Sequence, residues 1–441
     1  MKDTQTELLF DSVDGKKVIG DFTGGNVTSD AGLLLLRAHA RQMRLFESAA
    51  SAIRDGRRQG SVEHRVIDQL RQRVYQIAGG YFHGLDCNRL RDDPMFKVLC
   101  ERSALEGKQL PGQSTQSRLE NAVSRTDLYR LAEQLVELFV NSYPKAPRRI
   151  TLDIDDTCDP THGSQQLTLF NSHDDTYCYR PLHVYEGSSG KLVTVVLRPG
   201  KRASGIEALA VMRRVIERLR KHWPATRIHL RGDSHFCTEE LMSFCESLPG
   251  VTYTFAMGKN AALARLCEEC FALNRRVGKR TYRRYEEFFY GARSWSRKRR
   301  TIARVEVKKG EEDVRYVITN IQGRRASHIY SKVYCKRGQA ENWIKDHKNA
   351  LRSDLTSCHR FVANQFRVLL HSLAYVLLHH FRERSLRNTD LHRSQMDTIR
   401  YRLLKIGAQV TESARRIRFH LPSGLKEWSV LHSACAALDT G

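Results

Sequence analysis

The sequence predicts an α/β protein in which a mixed sheet with flanking helices follows an all-α N-terminal region. Apolar residues recur at helical spacing from about residue 28 to residue 146. From Arg148 onward short β-branched runs replace that pattern, and an amphipathic helix over 204–223 lies between the third run and the fourth. Strands and helices in this order pack as a sheet covered by helices.

Three segments predict the N-terminal helices: 29–43, which opens on a Ser or Asp cap, 62–82 and 124–143. Together they indicate a helical domain over 1–147. Residues 110–124, LPGQSTQSRLENAVS, combine a turn signal with a polar helix start. That combination fits either a compact helix-turn-helix or a plain connection between helices.

Six runs predict the sheet, with a further helix over 238–250. The runs are RRITLDID (148–155), RPLHVYEG (180–187), KLVTVVLRPG (191–200), TRIHLRGD (226–233), VTYTFAMG (251–258) and VRYVITNI (314–321). They predict a core whose first part covers 148–265 and whose second part covers 316–382. The region 383–441 is predicted to be helical, including TESARRIRFHLP at 411–422.

The charge of the chain points to nucleic acid. Its 73 Lys and Arg residues exceed its 49 Asp and Glu residues and give a net charge of +24. Such an excess is expected of a protein that lies along phosphates. A ribosome-like protein or a membrane-surface binder shares this charge, but neither normally carries clustered acids on a strand.

Membrane and secretory classes are disfavoured. The first residues, MKDTQTELLF, lack the apolar core of a signal peptide. The most apolar helix, over 361–381, contains Asn, Gln, Arg and three His, which favours a buried bundle helix. The eleven Cys residues are scattered, as expected of reduced thiols in a cytoplasm. Cys267 and Cys270 have the spacing of half a zinc site, but two incidental thiols on a helix explain them better.

A basic, β-rich insertion is predicted over 266–315. Between residues 271 and 308 the sequence holds 13 Lys or Arg residues and 3 Glu residues, interleaved with aromatic residues. Basic residues mixed with aromatic residues are typical of a nucleic-acid platform with stacking rings, whereas a charge run alone is usually a solvated face. The candidate DNA-binding residues here are Trp295, Arg297, Lys298, Arg299 and Arg300.

Three acidic positions are candidates for a metal site: Asp155 in TLDIDDTCDP, Asp233 at the end of the fourth strand, and Glu341 on a predicted helix. If the first and fourth strands are adjacent, Asp155 and Asp233 reach a common cation. Glu341 would complete a three-carboxylate pocket for two Mg²⁺ ions. Asp153 lies on the same strand face as Asp155 and Asp156 is adjacent to it, so both stay open as alternatives, as does a solvated acidic turn.

The helix around Glu341 carries a polar stripe. At about 100° per residue, Tyr334, Arg337, Glu341, Lys345 and Lys348 fall on one narrow face. A set of salt bridges between residues four apart would explain Glu341 equally well but gives Tyr334 no role.

The order Tyr334, two residues, Arg337, three residues, Glu341, six residues, Lys348 resembles the Y-(2)-R-(3)-E-(6)-K signature of the IS4-related DDE transposases. The Asp-rich strand, RGDSHF, VANQFR (362–367) and GYFHGLDCNRLRDDPMFKVL (80–99) look most like the IS1380 family within that group.

The resemblance implies an RNase H-like catalytic domain with a β-rich insertion between Asp233 and Glu341. It also implies cut-and-paste transposition of a bacterial insertion sequence with Mg²⁺, for which Mn²⁺ can substitute. The implied partners are the terminal inverted repeats, held by the N-terminal domain, the target DNA, and a second copy of the chain in a synaptic dimer. The implied location is the cytoplasm, at the nucleoid.

Residue by residue, the resemblance makes Asp155, Asp233 and Glu341 the metal ligands. It places Tyr334, Arg337 and Lys348 on the DNA backbone near the cleavage point, and Lys345 belongs to the same stripe. Relatives that form hairpin intermediates trap a flipped base with an insertion-domain Trp, for which Trp295 is the candidate; a packed Trp explains it as well.

Two other functions compete. DIDDT also satisfies D-x-D-x-T, the phosphatase motif of the haloacid dehalogenases, in which Asp153 would be the nucleophile. That family expects G-D-x-x-x-D later in the chain, and here Cys237 stands at its last position. A catalytically inactive, transposase-derived DNA-binding protein is the second alternative, although all three carboxylates are present.

Overall fold

The computed structural model describes residues 7–201, 205–274, 282–308 and 311–439. The chain divides into two compact units. The first contains Met1–Val123 and Leu373–Gly441, and the second contains Ser124–Ser372.

The strands are β1 (Leu8–Val13), β2 (Lys16–Gly20), β3 (Val27–Thr28), β4 (Arg149–Asp156), β5 (Asp159–Pro160), β6 (Leu169–Asn171), β7 (Thr176–Tyr179), β8 (Leu182–Glu186), β9 (Leu192–Val196), β10 (Arg227–Gly232), β11 (Val251–Met257), β12 (Tyr282–Tyr290), β13 (Arg299–Lys308), β14 (Glu311–Thr319), β15 (Ala408–Ser413) and β16 (Arg416–His420).

The α-helices are α1 (Leu33–Gln42), α2 (Leu45–Ser51), α3 (Val66–Gly79), α4 (Asp86–Arg89), α5 (Pro94–Leu99), α6 (Gln113–Ala122), α7 (Arg125–Asn141), α8 (Gly205–His222), α9 (Glu239–Ser247), α10 (Ala261–Asn274), α11 (Ala326–His328), α12 (Gln339–Lys345), α13 (Phe361–Ser385), α14 (Met396–Ile399) and α15 (Trp428–Asp439).

One helical stretch changes its winding along its length. Between α11 and α12 it passes through a π-helical segment, Ile329–Tyr334, and a 3₁₀ turn, Cys335–Gly338, and it ends in a second π-helical segment, Asp346–Ala350. We call residues 326–350 the composite helix. Such π segments are rare and occur frequently at functional sites. Since the turns are uneven, the ideal spacing of 100° per residue does not hold along this helix.

The second unit is built on an eight-stranded mixed sheet in the order β12-β13-β14-β11-β10-β4-β8-β9. β10 runs parallel to both β4 and β11, and the remaining neighbours are antiparallel. The first predicted strand and the fourth are therefore adjacent, which is the condition on which Asp155 and Asp233 could share a cation. All six predicted runs form strands of this sheet, because each carries enough apolar and β-branched residues to be buried.

The two faces of β4 have different partners because side chains alternate along a strand. Ile150, Leu152 and Ile154 are buried in one cluster with side chains of α7, α8 and α9. On the opposite face, Asp155 contacts Arg337 of the composite helix. The acidic face of β4 thus lies under the composite helix, and its apolar face forms the core.

The helix α7 lies in the second unit, although its residues were predicted to belong to a helical domain over 1–147. Ser124 and Asp127 form a capping box at its start, and Phe139 and Val140 pack in the core cluster of the sheet. The strands of the predicted insertion, β12 and β13, belong to the central sheet, which they extend beyond β14. The basic residues at 275–281 lie outside the described residues.

The first unit contains helices and two small sheets. The stretch from about 28 to 146, predicted as all-α, contains only helices after Thr28, whereas residues 8–28 of the predicted helical domain 1–147 hold β1, β2 and β3. β1 and β2 form a hairpin around Asp14 and Gly15, which both have positive φ angles. An Asp-Gly pair between apolar runs is a strong hairpin signal. Because every residue of β1 is exposed, the hairpin has no buried face to strengthen its pattern.

The prediction of a helical C-terminal region is also wrong between residues 408 and 420. There β15 pairs with β16 and with β3. Val410 is buried and Phe419 packs beside it. Apolar residues alternate with polar and charged residues along these strands, and this period-two pattern was the only local signal for the hairpin.

The helix α13 is long and apolar enough to cross a membrane by length and composition alone. However, 78% of its most apolar window is buried inside the protein. Burial of this kind is typical of a core helix, as the polar residues in its sequence predict.

Candidate active site

Two predicted aspartates lie at the same edge of the sheet. Asp155 is the last residue but one of β4, and Asp233 directly follows β10. The two strands are parallel and in register, with Leu152 opposite Leu230, so their carboxyl ends meet. The negative charge of Asp233 acts on the carboxyl of Asp155, consistent with this proximity.

The carboxyl of Asp155 is nearly buried, with 13% of the side chain exposed. Burial raises its pKa to about 7, and the charges of Asp233 and Asp156 act in the same direction. Arg337 opposes this rise, since its Nη1 donates a hydrogen bond of 2.8 Å to Asp155 Oδ2. A carboxyl whose pKa is raised to about 7, first by burial and then by neighbouring acids, is one that a divalent cation would ionise.

Glu341 reaches the same place from the composite helix. Arg337 Nη2 donates to Glu341 Oε1 at 3.4 Å, while the other terminal nitrogen of this guanidinium contacts Asp155. Although burial disfavours its charge, Asp155, Tyr334 and Asp233 together raise the pKa of Arg337. Arg337 therefore contacts two of the three predicted carboxylates, Asp155 and Glu341, and the charge of the third, Asp233, also acts on it.

Asp153 has a different environment from Asp155, although it lies on the same strand face. Its side chain is fully buried and forms a two-pronged ion pair with Arg231, at 2.5 Å for Nε to Oδ1 and 2.7 Å for Nη2 to Oδ2. Gly187 leaves room for this pair, because a Cβ there would stand 2.3 Å from Arg231 Nη2. Both oxygens of Asp153 are occupied, so this residue fits a structural role.

Asp156 points to the other side of β4 and also has cationic partners. Arg180 Nη2 lies 2.8 Å from Asp156 Oδ1 and Arg198 Nη1 lies 3.5 Å from Oδ2. Burial opposes the negative charge, but His235 and Arg180 hold the pKa of Asp156 at about 2. Of the three aspartates left open by the sequence, Asp155 is the one whose pKa is raised to about 7 beside other acids.

Tyr334 and Lys348 anchor the composite helix within the protein. Tyr334 is half-buried and packs against Tyr330, and burial raises its pKa against the influence of Arg337. Lys348 donates to the carbonyl of Cys158 and lies 3.4 Å from the buried carboxyl of Asp159. Lys348 thereby ties the far end of the composite helix to the turn after β4, and Lys345 is exposed.

The predicted DNA-binding group in the insertion divides into buried and exposed members. Arg299 is buried between Glu239 and Glu246, and Arg300 is buried against Glu287. These two guanidiniums are unavailable to phosphates in this conformation, contrary to the prediction. The physical reason is that the two side chains point to opposite faces of β13, where Glu239 and Glu246 of α9 meet Arg299 and Glu287 of β12 meets Arg300.

Trp295 is half-buried and packs against the core of the second unit. Its ring lies 5.5 Å from the ring of Tyr290, and the guanidinium of Arg299 lies 5.3 Å from its centre. This environment is that of a packed Trp. Arg297 and Lys298 are the exposed cations of the predicted group, and Arg297 pairs with Glu246 at 2.7 Å.

Two cysteine groups have different settings. Cys267 is buried in the core cluster, and the side chain of Cys270 lies outside the described residues. Cys158, Asp174 and Cys178 place possible ligand atoms within 4.8 Å of one another. Arg180 already pairs with Asp174, so this group has a competing cation where a metal would need the carboxylate.

Several residues at the site were missed by sequence reasoning. His235 Nδ1 lies 3.8 Å from Asp156 and 3.7 Å from Asp233, and its backbone N–H donates to Asp233 Oδ1 at 2.8 Å. Its position two residues after Asp233 was the available signal. Arg180 and Arg198 come from the ends of other strands and give no local signal.

Three carboxylates from β4, the end of β10 and the composite helix offer the hard oxygen ligands that Mg²⁺ and Mn²⁺ take in proteins. Asp233 and Glu341 remain accessible, with 30% and 57% of their side chains exposed. The three side chains therefore offer the ligand types of a divalent-cation site at this edge of the sheet, although their oxygens do not all lie within 4.8 Å of one another in this conformation.

Fold and site together define an α/β protein with a three-carboxylate site where a parallel strand pair meets a helix. The family model described as Transposase DDE domain group 1 matches residues 10–440. This match spans nearly the whole chain, and the chain therefore belongs to that family of DDE transposases.

A solved structure described as a piggyBac transposase synaptic complex with hairpin DNA is also similar. It is 11% identical in sequence with a TM-score of 0.42, over 86% of this chain and 80% of that one. No curated protein matches the chain.

Proposed function

We propose that this transposase cuts and joins DNA at a divalent-metal site whose ligands are Asp155, Asp233 and Glu341. The observation that carries the proposal is their convergence: one guanidinium, that of Arg337, contacts Asp155 and Glu341, while Asp155 and Asp233 end adjacent parallel strands. Mg²⁺ is the proposed ion, with Mn²⁺ as a substitute. When bound, it would activate the attacking oxygen and stabilise the leaving oxygen of a phosphodiester.

The strand order supports an RNase H-like assignment for the core. β4, β8 and β9 form an antiparallel meander, and β10 and then β11 add in parallel on the other side of β4. In this arrangement β4 is central. The antiparallel β12, β13 and β14 extend the sheet on the side of β11 and correspond to the proposed insertion.

Arg337 has two roles in the proposal. Before the metal is bound it balances the charge of Asp155 and Glu341. If a metal took its place between the carboxylates, its guanidinium would be free to donate to a DNA phosphate, for which its fork geometry is suited. Lys345, Arg297 and Lys298 are exposed and are proposed as further phosphate contacts.

The wider proposal is cut-and-paste movement of an insertion sequence of the IS1380 type in the bacterial cytoplasm, at the nucleoid. Terminal inverted repeats and target DNA are the proposed partners, bound by a homodimer in the synaptic complex. Base trapping by Trp295 has less support, because that ring is packed against Tyr290.

The two rival functions have distinct weaknesses. A phosphatase nucleophile needs a free carboxylate, but Asp153 is fully buried and paired with Arg231 through both oxygens. An inactive DNA-binding derivative has no need to hold three carboxylates around an arginine at an accessible edge.

The test is Mg²⁺-dependent strand cleavage of DNA that carries the element ends, with wild type and Asp233→Ala. Cleavage by wild type alone supports the metal site. Equal cleavage by both proteins would remove Asp233 from it. A small-phosphoester activity that is lost in Asp153→Ala and kept in Glu341→Ala would favour the phosphatase.

A further inference from the structure

A cationic cleft lies beside the composite helix, at the amino ends of the central strands. It has a volume of about 900 Å³, which is large for a binding site. Its walls come from the starts of β4 and β10, the loop after β14 and the first half of the composite helix. It is therefore separate from the carboxylate site, which lies at the opposite ends of the same strands.

The charge of the cleft has one sign. Its lining contains no Asp or Glu among the described residues. Five exposed cations line it, and none forms an ion pair with a described carboxylate; they are Arg149, Arg227, Arg324, Lys332 and Lys336. Unpaired cations that converge on one cleft repel each other unless an anion joins them.

The floor of the cleft is polar and buried. His229 is only 6% exposed, and its Nδ1 lies 2.9 Å from Thr252 Oγ1. Its Nε2 has no hydrogen-bond partner among the described residues. When the Thr252 hydroxyl donates to Nδ1, Nε2 carries the proton and can donate to an anion. An unpaired buried donor of this kind is costly and indicates a missing partner.

The position of the cleft relates it to the carboxylate site. Thr151 lines the cleft and lies on the same face of β4 as Asp155, four residues away. At about 3.3 Å per residue this separation is roughly 13 Å. A DNA strand advances about 3.4 Å per nucleotide along the helix axis, so the separation equals roughly four nucleotides.

We propose that this cleft binds the backbone phosphates of the DNA strand about four nucleotides from the bond broken at Asp155. The distance in nucleotides rests on the proposed cleavage function, whereas the binding of DNA phosphates in the cleft does not. Lys332 and Lys336 lie four residues apart on the composite helix, both at the cleft, and contact successive phosphates. His229 hydrogen bonds a phosphate oxygen from below.

The test is the salt dependence of DNA binding by the full chain, measured by fluorescence anisotropy with a labelled 40-base-pair duplex. Each lost phosphate contact reduces the slope of log affinity against log salt by about 0.9. The variant Lys332→Ala/Lys336→Ala should therefore lose about 1.8 in slope and, at 0.1 M salt, roughly 60-fold in affinity.

The matched control is Lys145→Ala/Lys221→Ala, which removes the same charge from two exposed lysines that do not line the cleft. Equal effects of the two double variants would overturn the proposal, because the loss would then reflect net charge alone. His229→Ala should weaken DNA binding while His229→Gln, which keeps a donor, restores it in part.

Two further arms separate the possible failures. If wild type fails to cleave DNA while the slope still falls in the cleft variant, the cleft stands and the proposed catalytic function falls. The other arm measures whether inorganic phosphate raises the melting temperature of wild type and not that of Lys332→Ala/Lys336→Ala. If it does, and the salt slope of DNA binding is the same in these two proteins, the cleft binds a free anion and the DNA assignment is overturned.

Discussion

Asp155→Asn should stabilise the metal-free protein at alkaline pH and should stabilise it less than half as much at pH 5. The pKa of Asp155 is raised from 3.8 to about 7 by burial, with Asp233 and Asp156 adding to the rise. The folded state thus holds the proton more tightly than the unfolded state does. As pH rises from 4 to 7, the wild type loses stability, and Asn avoids this loss.

The magnitude follows from the shift. About three pKa units at roughly 1.4 kcal/mol each set an upper bound of about 4 kcal/mol. Relaxation of the site and entry of water reduce this, so we expect about 2 kcal/mol at pH 8.5. For a unit of this size, that is a rise of roughly 4 to 8 °C in melting temperature.

The assay is thermal unfolding in EDTA at pH 5 and pH 8.5. The control is Asp156→Asn, the same change one residue along. The pKa of Asp156 is lowered to about 2, so its stabilising effect is complete above pH 4 and the variant should be destabilised at both pH values. Added Mg²⁺ should stabilise wild type but not Asp155→Asn. A rise for Asp155→Asn that is equal at both pH values would refute the reasoning.

Three further predictions concern buried cations and close packing. Arg231→Leu should cost about 3 to 5 kcal/mol because it strands the buried charge of Asp153, and adding Asp153→Leu should recover part of that loss; urea unfolding of the single and double variants measures this. Arg299→Ala should lower the urea midpoint and leave the salt slope of DNA binding unchanged. Arg297→Ala should leave the urea midpoint unchanged and reduce the salt slope. Gly187→Ala should destabilise by about 1 to 3 kcal/mol, because its Cβ would meet the Asp153–Arg231 pair; an unchanged midpoint would mean that the pair shifts freely.

The candidate site was predictable in its residue types and only partly in its membership. Tyr334, Arg337, Glu341 and Lys348 could be recognised by their spacing, and the runs before Asp155 and Asp233 predicted two strands. Whether Asp153 or Asp155 stays available depends on cross-strand neighbours. In the register of β4 with β10, Arg231 stands opposite Asp153.

The insertion shows the same division. Its sequence predicts strands rich in basic and aromatic residues, and it contains them. The carboxylates that neutralise Arg299 belong to Glu239 and Glu246, more than fifty residues earlier in the chain. Local composition cannot reveal a partner at that separation. The number of basic residues in a segment is therefore larger than the number that are free to bind DNA.

By itself, the sequence determined the α/β class, the six strands of the core, the basic character and the acidic candidates. These follow from local periodicity and composition, because each strand or helix buries its own apolar face. Only the tertiary structure decided that Asp153 pairs with Arg231 and that Arg337 contacts both Asp155 and Glu341. It also decided that the described lining of the cationic cleft contains no Asp or Glu. Those outcomes depend on which distant side chains meet, since the free energy of a charge inside a protein is determined by its neighbours in space.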